Sequence, residues 1–376
     1  MNDAKYRTLV ETLKRNILSG RFANGNPFPS VRSLIRRYGL SNTTVLHALD
    51  ELVHQGLISR KQGSGTFVTR SASSRKIGLI VPGIAYSEFF APIVSAISHM
   101  AQRKDYALVF GDAFSESPAD RARQVVKLAR DFAERDVSGV IFQPVEFLED
   151  EAEINKAVID VFRKKNIPVV LLDSDIVPPP DRSGLDVVGI DNFNASGRVV
   201  RHLVDSGSRR IAFLMRAHWA PSVRGRLSGV RDAVIASGLG WSEERNVLMF
   251  APGDERAVKR LLRGRWVPDA IVCGDDLAAV TLCKTIARAG YSVPGDVKVV
   301  GFNDVMLAGL ASPSLTTVRQ PCAEIAKATF ARLLARMENP NLEPILIALT
   351  APLVIRTSTF SSSCTKTRKS KKKGKL

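Results

Sequence analysis

Apolar residues recur at every fourth position at Leu9, Leu13 and Ile17, the spacing of one helical face. Gly20 and Gly25 interrupt that pattern. Pro29-Ser30 opens a second helical stretch with Val31, Leu34 and Ile35 inward, and Gly39 closes it after Tyr38. Ser41 or Asn42 caps a third, whose apolar side is Val45, Ala48, Leu49, Leu52 and Val53. After Gly56, two short β-like runs over 57–60 and 66–69 flank Lys61-Gln62-Gly63-Ser64-Gly65, a glycine-rich hairpin tip that carries a lysine.

Residues 71–76 are small and polar and read as a linker. Beyond them the pattern alternates between short continuous apolar runs and longer stretches of helical period. Strands are expected over 77–81, 106–110, 139–142, 168–172, 187–190, 210–214, 270–273 and 298–302, with helical faces such as Val125, Leu128, Ala129 and Phe132 between them. Apolar strands alternating with helices imply parallel sheets covered on both faces, an α/β fold. Nearly 290 residues of this pattern exceed one ordinary core, so two α/β subdomains are expected. From residue 361 the chain is rich in Ser and Lys and is expected to be disordered.

Charge sharpens the picture. Of a formal net charge of +17, residues 1–70 carry eleven Lys/Arg against four Asp/Glu, and the last sixteen residues carry seven Lys/Arg and no acid. Basic ends on a near-neutral middle are the footprint of a polyanion partner. No run reaches the roughly 18 apolar residues of a membrane span. Lys5, Arg7 and Glu11 break up any apolar leader, so the cytoplasm is the expected location. Cys273, Cys283, Cys322 and Cys364 have neither metal spacing nor the density of a disulfide framework, and no metal or cofactor is expected.

Helix, glycine-containing turn and helix followed by a hairpin outline a winged helix-turn-helix over residues 1–70. Such a head presents the start of its last helix to base edges in the major groove, here Ser41, Asn42, Thr43, Thr44 and His47. Asn pairs bidentately with adenine, and a Thr methyl meets a thymine methyl. Arg32 reaches a phosphate or base from the preceding helix, and Lys61, Gln62 and Gly63 form the wing tip. Ser41, Asn42 and Thr44 have a competing role as caps or buried helix-entry residues. Residues 6–68 resemble the GntR family through Tyr6, Leu13, Ile17, Pro29-Ser30, Arg32, Leu34, Tyr38-Gly39-Leu40-Ser41, Thr43-Thr44-Val45, Ala48-Leu49, Gly56-Leu57 and Gly63-x-Gly65-Thr66-Phe67-Val68. That family usually has arginines where Asn42 and Leu46 stand, so its typical operator does not carry over.

Residues 77–360 resemble the effector domain of LacI/GalR regulators and sugar-binding periplasmic proteins. The matching segments are Ile77-Gly78-Leu79-Ile80-Val81, Ile167-Pro168-Val169-Val170, Asp191-Asn192, Arg224-Gly225-Arg226-Leu227-x-Gly229, Asp275-Asp276, Val300-Gly301-Phe302-Asn303-Asp304 and Leu315-Thr316-Thr317-Val318-x-Gln320-Pro321. The resemblance implies two lobes with crossovers near 185–190, 318–322 and 349–351, and a ligand in the cleft between them. It maps ligand positions onto Phe89, Phe90, Asp173, Arg226, Phe250, Asp275, Asn303 and Gln320. Asn303 stands where many members have an aspartate, so the cleft is expected to be less acidic than usual, with Asp275 as a partial replacement.

Together these features predict a transcription regulator, a repressor. It would act as a homodimer on a double-stranded operator and respond to a small carbohydrate effector. Two other classes compete with this reading. GntR-type heads also join aminotransferase-like bodies, but no Schiff-base lysine motif is recognisable, nor a P-loop, dinucleotide fingerprint or G-x-S-x-G elbow. A sugar-capture protein of a transporter would need a secretory leader and no DNA-binding head.

Overall fold

The computed structural model describes residues 2–18, 22, 28–55, 57–61, 65–68, 75–84, 88–113, 117–146, 148, 150–178, 180–215 and 220–360. The chain divides into two compact units, Met1–Lys76 with Asp105–Ala107 and the remainder.

The first unit contains α1 (Asn2–Leu18), α2 (Val31–Tyr38) and α3 (Asn42–His54), then the hairpin of β1 (Ile58–Lys61) and β2 (Gly65–Val68). The hairpin is antiparallel, with Ile58 opposite Val68 and Lys61 opposite Gly65. Phe28 donates its backbone N–H to the Thr66 carbonyl at 2.7 Å, so the approach to α2 runs along the hairpin edge. Leu9, Leu13, Leu34, Val45, Leu49, Leu52, Ile58 and Val68 form one buried core, which joins all three helices to the hairpin. Burying each such side chain stabilises by about 1.5–3 kcal/mol.

The turn between α2 and α3 is built from local chemistry. Ser30 Oγ accepts from Ser33 N–H to start α2, and Gly39, at φ 64°, ends it in the left-handed region that only glycine enters without cost. Ser41, rather than Asn42, caps α3 by accepting from Thr44 N–H at 3.2 Å.

The second unit follows the strand–helix alternation. Its first lobe begins with β3 (Arg75–Ile80), α4 (Phe90–Arg103), β4 (Tyr106–Gly111), α5 (Pro118–Glu134), β5 (Val137–Phe142), α6 (Glu151–Lys164), β6 (Val169–Leu172) and β7 (Asp186–Ile190). The chain then builds a second lobe from α7 (Asn192–Asp205), β8 (Ile211–Met215), α8 (Pro221–Ala236), α9 (Glu243–Asn246), β9 (Val247–Met249), α10 (Glu255–Leu262), β10 (Ala270–Cys273), α11 (Asp276–Arg288), β11 (Lys298–Asn303), α12 (Met306–Leu310) and β12 (Thr316–Arg319). It returns for α13 (Cys322–Glu338) and β13 (Leu346–Leu349) in the first lobe, and ends with β14 (Leu353–Val354) in the second. Arg75 and Lys76, expected in the linker, are the first residues of β3. Residues 71–74 and the basic stretch 361–376 lie outside the described residues.

The two six-stranded sheets run β13-β7-β6-β5-β3-β4 and β14-β12-β11-β10-β8-β9. Counted from its own first strand, each sheet has the same order, with the second strand outside the first and the third to sixth on the other side. Strands such as β5, β6 and β7 pair in parallel, whereas β14 runs antiparallel to β12. The first-lobe core holds Phe132, Phe142 and Phe162, and the second-lobe core Ile271, Leu282, Ile286 and Val299. The chain passes between the lobes after β7, after β12 and after β13. Helix α13 is fastened to its sheet by Asp186, a fully buried carboxylate with Arg332 Nε at 2.9 Å and Arg336 Nε at 2.6 Å. The same carboxylate accepts from Ile345 N–H at 2.9 Å, so one side chain ties helix, sheet and edge strand together.

Candidate functional site

On the head, Arg32 lies exposed in the first turn of α2, and Asn42, Thr43 and His47 are exposed on the first half of α3. His47 stacks on the Tyr6 ring at a centroid distance of 4.7 Å, which holds the imidazole against α1. Ser41 and Thr44 have different work. Ser41 is the cap, its hydroxyl 2.8 Å from that of Thr44, and Thr44 is only 8% exposed. Arg60 of the hairpin pairs with Asp50 of α3 at 2.8 Å, fixing the wing against that helix. Lys61 closes the hairpin ladder opposite Gly65, while Gln62 and Gly63 lie outside the described residues. The sequence reading passed over Arg36 and Arg37, both exposed in the last turn of α2. Arg36 follows Arg32 by four residues, so the helical period places the two cations on one face.

In open α/β sheets, ligands bind outside the carboxyl ends of the strands where the strand order reverses. Both lobes of the body have such a point, and a cavity of about 510 Å³ lies there between them. Pro82 and Gly83 follow β3, Gln143, Val145 and Glu146 follow β5 and Asp173 follows β6 on one side. Ala220 and Arg226 belong to the segment after β8, Gly274 to Asp276 follow β10, Asn303 follows β11 and Gln320 follows β12 on the other. Phe89 and Phe90, at the start of α4, supply the aromatic wall, their rings 4.6 Å apart. Seven of the eight ligand positions expected from sequence thus line one cavity. Phe250 does not. It follows β9 at the far edge of the second sheet and packs, partly buried, against that lobe's core. The expected stacking role for it is corrected accordingly.

Arg226 is 4% exposed and is held from three sides. Its Nε donates to Asn192 Oδ1 at 2.8 Å, its Nη1 donates to the Gly274 carbonyl at 2.6 Å, and its guanidinium lies 4.5 Å from the centroid of the Phe302 ring. Burial pulls the guanidinium below its ordinary value, and the carboxylates of Asp173, Asp275, Glu146 and Asp276 pull it back. It is a fixed positive charge in the wall of the cavity, suited to planar recognition of oxygen acceptors.

Asp173 has φ 74°, an unusual conformation for a residue with a side chain. Its N–H donates to the Val188 carbonyl at 2.8 Å, and Gly189 lets the strands approach, since a Cβ there would meet the Asp173 carbonyl oxygen at 2.6 Å. Asp173 Oδ1 is buried and has no hydrogen-bond partner. Glu146 stands near it and accepts from Ser174 Oγ at 3.3 Å. Burial, and then the charge of Asp173, raise the Glu146 carboxyl well above its usual range. Burial also raises Asp173, with Arg226 opposing.

At the crossover after β12, Gln320 Nε2 donates to Asn303 Oδ1 at 2.9 Å, which leaves Gln320 Oε1 buried and unpartnered. Asn303 therefore braces the crossover. Asp275 caps α11 through Ala278 N–H at 2.7 Å. Asp276 accepts from Thr317 Oγ1 at 2.5 Å and from Val305 N–H at 2.9 Å, and burial raises its carboxyl to about 7. Glu146 and Asp276, which sequence reasoning did not assign, join Asp173 and Asp275 in the wall. Asp276 had a signal in its adjacency to Asp275, whereas Glu146 sits in an irregular segment after β5 with no periodicity to mark it.

Residues 5–68 match the gntR family of bacterial regulatory proteins, and residues 200–359 match the periplasmic binding protein-like domain. An arabinose metabolism transcriptional repressor of Geobacillus stearothermophilus is 26% identical over 369 residues, covering 94% of this chain and 97% of that protein. A LacI transcriptional regulator of Bacillus cereus subsp. cytotoxis superposes with a TM-score of 0.64 at 26% identity, covering 76% of this chain and 98% of that one. A LacI-family regulator of Enterococcus faecium with bound ribose shares the fold, with a TM-score of 0.61 at 21% identity over 75% of this chain and 98% of that one. The chain thus joins a gntR-family DNA-binding head to a periplasmic-binding-protein-like body, the construction of a ligand-responsive transcription regulator.

Proposed function

We propose that this protein is a repressor whose head binds a two-fold symmetric operator as a homodimer, and whose body releases or strengthens that binding when a small sugar-like effector fills the cleft. The observation that carries the reading is the cavity itself. It joins an aromatic wall to convergent polar groups from both lobes, as a small polar ligand requires. The arabinose repressor that this chain resembles over nearly its full length, and the ribose held by a protein of the same fold, support a carbohydrate-like effector. The same relatives support a role without catalysis, inside the cell where the operator is. Among the described residues no helix is long and apolar enough to cross a membrane.

A homodimer is favoured because a single winged head buries too little surface for tight binding, and paired half-sites remedy this. Leu277, Met306 and Leu310, on α11 and α12, are 55%, 74% and 75% exposed and offer apolar area for self-association. The test is operator titration by gel shift on DNA flanking the gene, repeated across a panel of sugars, with sedimentation to read the assembly. Retention of a specific shifted band, changed by one sugar and carried by a dimer, is the expected result. A protein that never shifts this DNA, or that shifts it as a monomer, would overturn the reading.

A further inference from the structure

We propose that the effector carries a protonated amine, an amino sugar or similar amino-polyol, whose ammonium group sits against Glu146 and Asp173. The proposal rests on the reading of the cleft as an effector site and adds the chemical class of its occupant.

Among the described residues of the cavity wall, two buried polar atoms lack partners, Asp173 Oδ1 and the Oε1 of Gln320, a residue only 4% exposed. Both are acceptors. A buried polar atom left without a partner is costly, so the occupant that stabilises this cavity brings donors to both places. Hydroxyls could do that, and a neutral sugar would satisfy Gln320.

Charge separates the two ends. Among the described residues neither Glu146 nor Asp173 takes part in an ion pair, although both are half-buried in the cavity wall and Asp173 Oδ1 is closed off from solvent. The nearby cation, Arg226, has spent its Nε on Asn192 and its Nη1 on the Gly274 carbonyl, and it must answer Asp275 and Asp276 as well. Among the described residues of the cavity wall, Arg121 and Arg226 stand against five carboxyl groups, Glu88, Glu146, Asp173, Asp275 and Asp276, and Arg226 is the cation that acts on Glu146 and Asp173. Two acids left this way are raised by burial, as found for both. A hydroxyl gives such a pair one donor and no charge. An ammonium gives three donors and the missing positive charge, and a buried carboxylate is stable only when paired. The backbone supports a dedicated role, since Asp173 is held at φ 74° by its bond to Val188. Phosphate and carboxylate ligands are disfavoured by the same acids.

The experiment is isothermal calorimetry on the full chain with D-glucosamine, D-galactosamine and D-mannosamine. The parent hexoses, N-acetyl derivatives and 6-phosphates serve as controls, and operator release is titrated in parallel. At least one free amine should bind about tenfold or more tightly than its parent and its N-acetyl derivative, whose nitrogen carries no charge. That preference should vanish in Glu146→Gln and Asp173→Asn, near-isosteric changes whose folding is checked by the unliganded melting curve. A parent hexose or phosphate that binds as well as the amine and releases operator overturns the proposal but leaves the effector reading intact. An amine that binds tightly without altering operator affinity keeps the proposal and sinks that reading. Binding by none of the panel, or an amine preference that survives both substitutions, overturns the proposal.

Discussion

Arg226 Nη1 donates to the carbonyl oxygen of Gly274 at 2.6 Å, which fastens a side chain of α8 to the turn that ends a central strand of its own lobe. Its Nε reaches Asn192, the residue with which the chain enters the second lobe after β7. Anything that pulls on this guanidinium from the cavity is thus coupled to a crossover between lobes. An effector shifts a two-state regulator only by its differential affinity for the states, typically 1–3 kcal/mol, and a rigid charge at a crossover is a means of generating that difference.

Arg226→Met should therefore shift the effector concentration needed for an operator response upward by about 10- to 100-fold, the worth of one or two charge-assisted bonds. Operator titration with and without the active sugar reads this. Asn192→Ala should give a smaller shift in the same direction. An unchanged response in Arg226→Met would remove Arg226 from the effector site.

Stability should fall as pH rises from about 4 to about 7, and Asp276 supplies part of the slope. Burial lifts its carboxyl to about 7 in the folded chain, against about 4 when unfolded. Between those values the folded state holds a proton that the unfolded state lacks. The contribution is full below the lower value and is lost through the upper one. Glu146 and Asp173 are raised in the same direction and add their own slope. Comparing melting curves of wild type and Asp276→Asn from pH 4.5 to 8 isolates the one residue. The variant should gain on wild type across the window, and parallel curves would contradict the assignment.

Asp186→Ala leaves Arg332 and Arg336 facing an empty place beneath α13 and removes the acceptor of Ile345 N–H. Breaking one side of a buried ion cluster costs about 3–5 kcal/mol. In a body of this size, at about 2–4 °C per kcal/mol, the melting temperature should drop by roughly 6–20 °C. Differential scanning calorimetry measures it, and a drop under about 2 °C would mean the cluster is not holding the helix.

The fold was legible because most strands are buried on both faces and read as continuous apolar runs, as at Val169–Leu172 and Ala270–Cys273. The strands that were missed are short or lie at or next to a sheet edge: Val247–Met249, Thr316–Arg319, Leu346–Leu349 and Leu353–Val354. Thr316 and Thr317 are buried but polar, paired with Ser358 and Asp276, so no apolar run marks them. The cleft was legible where residues end strands, as with Asp173 and Asn303. Phe250 misled because an aromatic after a strand fits a stacking wall as well as a lobe core. Glu146 lay hidden because no periodicity governs the segment it occupies.

Arg32→Ala and Arg36→Ala should each weaken operator binding and reduce the salt dependence of log K by about one unit, the signature of one lost phosphate contact. Lys61→Ala should do so more weakly. Asn42→Ala should lower discrimination between operator variants while leaving the salt slope alone, since a base contact carries sequence information and little charge release. Fluorescence anisotropy at several salt concentrations separates the two behaviours. Equal slopes for all four variants and wild type would move the DNA surface elsewhere on the head.

A Cβ at Gly189 would lie 2.6 Å from the Asp173 carbonyl oxygen and 3.3 Å from its Cα, contacts with backbone that no side-chain rotation relieves. Gly189→Ala must therefore push the end of β6 away from β7, lengthening the bond from Asp173 N–H to the Val188 carbonyl and releasing the φ of 74° that this bond helps to hold. Overpacking of this kind costs about 1–3 kcal/mol. The more telling effect is on the site, because Asp173 is carried by the segment that moves. Gly184→Ala is the control. Its φ is 74° as well, but nothing lies within 4 Å of the added Cβ, so it brings backbone strain without displacing a neighbour. Both variants should melt lower than wild type. Only Gly189→Ala should also need about tenfold or more effector to change operator binding. If the two variants respond to effector alike, Asp173 has no part in holding it, and the strained turn after β6 serves the fold alone.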